Sequence, residues 1–147
     1  MKAAPLIRKA RREDLESILA FESSGFAGDA FSRRQLRYLL TRAQGLCLAA
    51  LAAGEVAGYI CVLTGKRRRN ARIYSLAVAP EYRRTGIAEA LIAEAVNFAQ
   101  ARGLTYLSLE VRADNPAALR LYEKLGFTQK SVIPAYYHDG MKARRMV

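Results

Sequence analysis

The feature that most constrains this chain is an apolar run that leads into a short basic turn, which opens a long helix. Residues 71–78 have the apolar and β-branched content of a strand, and residues 86–102 carry apolar side chains at helical spacing. Only the turn at residues 79–85 separates them. The first N–H groups of a helix have no intrahelical partners and lie at the positive end of its dipole. The junction therefore predicts an anion site at the start of this helix.

The side chains at this junction suit a phosphate ligand. Arg83 and Arg84 supply charged donors, Gly86 allows the backbone to approach an anion closely, and Ala88 is small. The pattern differs from a Walker loop and from the Gly-x-Gly-x-x-Gly dinucleotide fingerprint, because neither motif occurs in the sequence. The residues indicate a pyrophosphate cradle of another kind, although a plain helix start would also explain them.

The rest of the chain alternates strand and helix patterns without an internal repeat or a Pro/Gly/Ser linker. We expect one domain covering residues 1–147, of α/β (α+β) class, with a mixed, mostly antiparallel sheet and about four helices. The expected strands are 6–10, 46–53, 56–64, 71–78, 106–111, 128–133 and 142–147, and the expected helices are 14–22, 32–40, 86–102 and 115–126.

The charge balance favours acidic partners. The chain has 24 Lys and Arg against 13 Asp and Glu, a net charge of +11, and residues 66–69 form its densest basic cluster. Such a balance suits nucleic acid, ribosomes or a phosphate-rich cofactor. The basic cluster has no stacking aromatics, zinc signature or helix-turn-helix pattern beside it, so we interpret it as a solvated loop and expect no nucleic-acid partner.

Other classes of protein are not supported by the sequence. No apolar run is long enough to span a membrane, and the first residues lack the apolar core of a secretory signal. Cys47 and Cys61 lie in apolar stretches without metal-ligand spacing, which suits buried thiols in a reducing compartment, so we expect a cytoplasmic protein. His138 is the single histidine, and we expect no metal site and no serine triad.

Two segments resemble a known family. Residues 83–88, Arg-Arg-Thr-Gly-Ile-Ala, resemble the Q/R-x-x-G-x-G/A signature of GNAT acetyltransferases. Residues 115–127 resemble their N-x-x-A-x-x-L-Y-x-x-x-G-F segment. The resemblance implies that acetyl-CoA lies between two splayed central strands, with its pyrophosphate on the turn and its pantetheine along the strand backbone. The implied cofactor contacts are Leu76, Ala77, Val78, Arg83, Arg84, Thr85, Gly86, Ile87, Ala88 and Asn115.

The same resemblance implies two catalytic residues. Tyr122 follows Asn115 by seven residues, hence on the same helix face, and would be the acid that protonates the CoA thiolate. The alternative is a buried core tyrosine with a satisfied hydroxyl. Residues 109–112, Leu-Glu-Val-Arg, resemble the ribosomal-protein N-terminal-alanine (RimI-type) acetyltransferases, which implies Glu110 as general base. The alternative for Glu110 is a surface carboxylate paired with Arg112 or another basic residue.

The resemblance also implies that the acceptor is a primary amine. An α-amine has a pKa near ~8 and a lysine amine near ~10.4, so neutralising lysine costs about 3 kcal/mol more at pH 7. We therefore expect the N-terminal α-amine of a protein or peptide, with a small-molecule amine or lysine as the alternative. A CoA-binding, RNA- or ribosome-associated module without catalysis is the alternative from another class. Both a monomer and a homodimer remain open.

Two segments depart from the RimI type. Residues 25–32 lack its Phe-Pro-Trp-Ser-like element, and residues 136–144 lack the Glu-Asp pair that follows its Tyr-Tyr and Asp-Gly positions. Both segments line the acceptor side in that family. The strand at residues 71–78 and the Tyr-Tyr-x-Asp-Gly ending are also similar to GNAT domains fused to cysteine-peptidase-like domains.

Overall fold

The computed structural model of the protein describes residues 6–25, 45–64, 70–104, 106–137 and 139–147. The predicted helix at 32–40, the basic cluster at 66–69 and His138 lie outside these residues. The strands are β1 Leu6–Lys9, β2 Gly45–Ala52, β3 Glu55–Thr64, β4 Asn70–Val78, β5 Tyr106–Arg112, β6 Gln129–Ile133 and β7 Ala143–Met146. The helices are α1 Leu15–Gly25, α2 Ile87–Ala101 and α3 Pro116–Lys124, with short 3-10 turns at Arg12–Asp14 and Pro80–Tyr82.

The seven strands form one sheet in the order β1-β2-β3-β4-β5-β7-β6. Neighbouring strands are antiparallel except for β4 and β5, which run parallel because α2 connects them as a crossover. The β6–β7 hairpin joins the sheet through β7, so that the last strand lies next to β5. The mixed, mostly antiparallel sheet confirms the predicted fold class.

The two central strands separate partway along their length. The pairing of β4 with β5 runs from Asn70 opposite Tyr106 to Ile73 opposite Leu109 and then stops. Beyond that point β4 remains paired with β3 as far as Val78, and β5 remains paired with β7. The residues of β4 after Ile73 therefore have backbone groups that face away from β3 without a strand to receive them. This opening is the expected splay.

Each face of the sheet carries a hydrophobic core. On one face, α2 contributes Ile87, Leu91 and Ala95 to a cluster that includes Ile73 and Leu109 of the central strands. On the other face, α1 contributes Leu15 and Ile18 to a smaller cluster with Cys47, Tyr59 and Cys61. The thiols of Cys47 and Cys61 are buried, as predicted, and their sulfur atoms lie 2.7 Å apart. The helix and strand patterns thus cover the sheet on both sides.

A buried ion pair fixes the start of α1 to the first strand. Asp14 is 4% exposed and accepts hydrogen bonds from Arg8 Nη1 at 2.7 Å and Nη2 at 2.9 Å. It also accepts the N–H of Arg11 at 2.7 Å. The hydrogen bonds from Arg8 outweigh the cost of burial and lower the pKa of Asp14.

Among the described residues, no helix is both long and apolar enough to cross a membrane.

Candidate active site

A cleft of about 660 Å³ opens where β4 leaves β5. Its walls come from the last residues of β4, from the turn that follows, from the start of α2 and from α3. The lining residues are Leu76, Ala77, Val78, Pro80, Tyr82, Arg83, Arg84, Gly86, Ile87, Ala88, Glu89, Asn115, Ala117, Ala118, Leu121 and Tyr122. The cleft therefore joins the two sequence segments that carry the family resemblance.

The turn before α2 presents backbone N–H groups to this cleft. Arg84 and Gly86 both adopt left-handed backbone conformations, with φ of 63° and 86°. The Ala90 N–H donates to the Gly86 carbonyl at 3.0 Å, so the N–H groups of the preceding helical residues have no intrahelical partner. A β-carbon on Gly86 would meet nothing within 4 Å, so the positive φ, rather than crowding, is what favours glycine there. The turn thus leaves the first N–H groups of α2 available to bind an anion.

Nine of the ten predicted cofactor residues line the cleft. The exception is Thr85, whose hydroxyl donates to the Tyr82 carbonyl and so closes the turn. Asn115 caps α3, because its side-chain oxygen accepts the Ala118 N–H at 3.1 Å, and Pro116 follows as the first helical residue. The side-chain nitrogen of Asn115 keeps its two N–H donors.

Tyr122 also lines the cleft, on the third helix. Its ring packs edge-on against Phe127, with the two centroids 5.9 Å apart. Burial raises the pKa of Tyr122 to about 12, so the hydroxyl carries its proton at neutral pH. The residue is thus both a partner of the hydrophobic core and part of the cleft wall.

Glu110 does not line this cleft. It lies on β5 directly after the last residue paired with β4, and strand alternation points it away from the α2 core that holds Leu109 and Val111. Its side chain is 5% exposed. Arg72 Nε donates to one carboxylate oxygen at 2.7 Å, and Arg145 donates to the other from Nε at 3.2 Å and Nη2 at 3.1 Å. Glu110 and Tyr122 therefore stand on opposite faces of the sheet beside the splay.

The sequence analysis missed Arg72, Arg145 and Tyr136. Arg72 also donates from Nη2 to the Tyr136 hydroxyl at 2.8 Å. Glu110 is separated from Arg72 by 38 residues and from Arg145 by 35. The only signal in the sequence is that Arg72 and Glu110 occupy outward positions on their strands, and this alone does not place them together.

Arg112, which was one suggested partner of Glu110, binds elsewhere. It pairs with Asp114 at 3.0 Å and with Asp139 at 2.6 Å, and its guanidinium lies 4.9 Å from the centroid of the Tyr137 ring. The hydrogen bond from Arg112 lowers the pKa of Asp139. Through these contacts Arg112 fastens the β6–β7 loop, which carries Tyr136, to the end of β5.

Comparison with known sequences identifies the family. Residues 10–127 match the profile of the Acetyltransferase (GNAT) family. A putative [ribosomal protein bS18]-alanine N-acetyltransferase of Bacillus subtilis is 30% identical over 139 residues, covering 95% of this chain and 91% of that protein. The [ribosomal protein bS18]-alanine N-acetyltransferase of Escherichia coli is 42% identical over 67 residues. That alignment spans less than half of either protein, 46% of this chain and 45% of the enzyme.

Solved structures agree with this assignment. Ard1 from Thermoplasma volcanium has a TM-score of 0.88 and 28% identity, with 98% of this chain and 96% of that chain covered. The ribosomal-protein-S18-alanine N-acetyltransferase from Escherichia coli has a TM-score of 0.84 and 28% identity, with 97% and 91% covered. The likeness extends over nearly all of each chain.

Proposed function

The chain belongs to the GNAT family of acetyltransferases, and on that premise we propose that it acetylates the α-amine at the N-terminus of a peptide or protein. Acetyl-CoA is the acetyl donor, as in other acetyltransferases of this fold. The relatives named for N-terminal alanine support the acceptor class. The pKa of the amine also supports it. An α-amine has a lower pKa than the lysine side chain, so less free energy is needed to form its neutral, nucleophilic state at neutral pH.

The observation that carries the proposal is the splay of β4 from β5 between an anion-binding turn and a buried tyrosine. We assign the pyrophosphate of acetyl-CoA to the turn at residues 83–88, where backbone N–H groups and two arginines are available. The pantetheine would follow the unpaired side of β4 at Leu76, Ala77 and Val78, as an extra strand would. The thioester would then reach the splay.

Tyr122 would assist the departure of the thiolate. The amine nitrogen attacks the thioester carbonyl carbon, the carbon–sulfur bond breaks, and a proton lost by the amine balances the proton gained by sulfur. Because the pKa of Tyr122 is about 12, its hydroxyl remains protonated and can donate to the developing thiolate. After CoA leaves, Glu110 would release to solvent the proton it took from the amine, and Tyr122 would take one up, which restores both groups.

Glu110 would accept the amine proton from the opposite face of the sheet. The carboxylate is nearly buried, and its two arginine partners hold it at the point where the strands separate. An amine that approaches from this face would meet the thioester carbonyl through the splay. We expect the proton to pass to Glu110 directly or through one water molecule. The two groups would thus act on the reacting centre from opposite sides.

We expect the reaction to take place in the cytoplasm, because buried thiols at Cys47 and Cys61 suit a reducing compartment.

Release of CoA thiol from acetyl-CoA tests the proposal. The assay compares peptides with a free N-terminus, the same peptides with a blocked N-terminus and an internal lysine, and a set of small amines. Release that requires the free N-terminus is the expected result, and mass spectrometry of the product should find the acetyl group on the α-amine. Equal release with blocked, lysine-containing peptides would replace the proposal with a lysine acetyltransferase, and release with small amines alone would reject a peptide acceptor.

A further inference from the structure

The acceptor face of the sheet carries more positive charge than its buried carboxylate neutralises. Arg72 on β4 and Arg145 on β7 both bind Glu110 on β5, at 2.7 Å and 3.1 Å. Two guanidinium groups on one carboxylate leave this three-residue cluster with a net charge of +1. Within the residues that the structure describes, Glu110 is the only carboxylate in salt-bridge contact with either arginine.

Both arginines keep donors that can receive a ligand. The side chain of Arg72 is 37% exposed and that of Arg145 is 48% exposed, whereas Glu110 beneath them is 5% exposed. A guanidinium has five N–H donors in a planar fork. Arg145 donates from Nε and Nη2 to a single oxygen of Glu110. Arg72 donates from Nε to Glu110 and from Nη2 to the Tyr136 hydroxyl, so among the described residues Nη1 of each arginine is left for a ligand.

The position of the cluster relates it to the reaction. Arg145 is directly opposite Glu110 in the pairing of β5 with β7, and Arg72 lies opposite Ser108 in the last stretch where β4 still pairs with β5. All three side chains point to the same face, beside the splay. Because an extended chain advances about 3.3–3.6 Å per residue, a carboxylate on the second or third residue of a bound peptide would reach the arginines while the amine lies at Glu110.

We propose that Arg72 and Arg145 select acceptor peptides that carry an acidic side chain at the second or third residue. This inference rests on the proposed function, since it names the sequence class of the N-terminus that the same site acetylates. A carboxylate matches the fork of a guanidinium and would neutralise the charge left over in the cluster. The overall charge of +11 would add a long-range attraction for acidic peptides.

The test compares two peptides that differ only by Glu or Gln at the second residue. We expect kcat/KM to be roughly tenfold higher for the acidic peptide, the scale of one charge-assisted hydrogen bond. The preference should reside mainly in KM and should shrink at high salt. This wild-type ratio is measurable whether or not any variant folds. Equal kcat/KM at low salt in this pair, and in a second pair with Glu or Gln at the third residue, would overturn the inference.

Substitution of the arginine identifies the source of the preference. Arg145→Gln should lower the Glu/Gln ratio towards one, and Arg102→Gln, which removes the same charge at the far end of α2, should leave the ratio unchanged. Arg72→Gln should act like Arg145→Gln. A ratio that falls equally in Arg102→Gln would assign the preference to net charge and contradict a selective cluster.

The two proposals fail in different ways. Acetylation of both peptides at equal rates would remove the acidic preference and leave N-terminal acetylation intact. Absence of peptide acetylation, with release of CoA by small amines, would overturn both.

Discussion

The two sides of the splay differ in the chemical groups that they present to a ligand. On the cofactor side, the binding groups are mostly backbone: the turn with Arg84 and Gly86 in left-handed conformations, the open edge of β4 and the first turn of α2. On the acceptor side, they are side chains that already bind one another, since Glu110 is held by Arg72 and Arg145. Backbone groups offer a site of fixed shape for one common donor, whereas side chains can differ from one relative to the next. On the proposed assignment, the cofactor side would hold the acetyl donor, and the acceptor side would hold the base and set the specificity.

The largest expected effect is that of Tyr122→Phe. Removing the hydroxyl should lower kcat by about 10³, within the range of general acid catalysis, because the leaving thiolate loses its donor. The dissociation constant of acetyl-CoA should change little, since the ring still packs against Phe127. Steady-state kinetics and calorimetric binding measure the two quantities.

A matched control for this variant is Tyr106→Phe. Tyr106 is 57% exposed at the start of β5, away from the cleft, so its substitution should leave kcat unchanged. An unaltered rate in Tyr122→Phe would remove that residue from the mechanism.

The next largest effect tests the acceptor side. Glu110→Gln should lower kcat by about 10² because the amine loses its base. Binding of acetyl-CoA should stay the same, since Glu110 lies outside the cleft. Glu110→Gln should therefore lose turnover and keep its affinity for acetyl-CoA, whereas a change on the cofactor side should weaken that affinity. Weakened binding of acetyl-CoA in Glu110→Gln would show that the two sides are not separate.

A smaller effect tests the backbone of the cofactor side. Gly86→Ala should weaken acetyl-CoA binding roughly tenfold, because a left-handed alanine costs about 1–2 kcal/mol and the turn can relax to a conformation that no longer fits the pyrophosphate. Gly54→Ala is the matched control, since Gly54 has φ of 80° and, like Gly86, open space around it. Both variants should lower the melting temperature by similar amounts, and only Gly86→Ala should affect acetyl-CoA. Equal donor affinity in the two variants would argue against a pyrophosphate at this turn.

The smallest expected effect concerns the pH dependence of the rate, which should show no decline on the alkaline side until pH approaches the pKa of Tyr122. Since burial raises the pKa of Tyr122 to about 12, its acid function should persist as pH rises, and be lost only as pH passes through that value. The rate with an N-terminal peptide should therefore rise near pH ~8, as the α-amine loses its proton, and then remain level. Tyrosinate absorbance checks this directly: the component missing in Tyr122→Phe should titrate near 12. A missing component near ~10 would mean that this tyrosine is not buried in solution.

The cleft that we assign to the cofactor could be predicted from the sequence because its determinants are local. A strand, a turn with Gly86 and a helix follow one another without interruption. Asn115 and Pro116 mark the start of α3, and Tyr122 follows Asn115 by seven residues. Helix caps and left-handed turns depend on neighbouring residues only, so short motifs specify them. Nine of the ten predicted residues line the cleft for this reason.

The acceptor side could not be predicted in the same way. Arg72, Glu110 and Arg145 meet only because β4 and β5 run parallel and β7 is inserted between β5 and β6. Strand patterns give the faces of a strand but not the order of strands in a sheet. The sequence therefore suggested Arg112 or another basic residue as the partner of Glu110. In the structure the order of the strands brings Arg72 and Arg145 to Glu110 instead.

The most direct measurement is a structure of the protein with a bisubstrate analogue, in which CoA is linked to the α-amine of an acidic peptide. The account predicts the pyrophosphate at residues 83–88, the sulfur within hydrogen-bond distance of the Tyr122 hydroxyl, and the peptide on the opposite face of the sheet, with its carboxylate at Arg72 or Arg145. A pyrophosphate elsewhere, or a peptide on the same face as Tyr122, would contradict the division of donor and acceptor between the two sides of the splay.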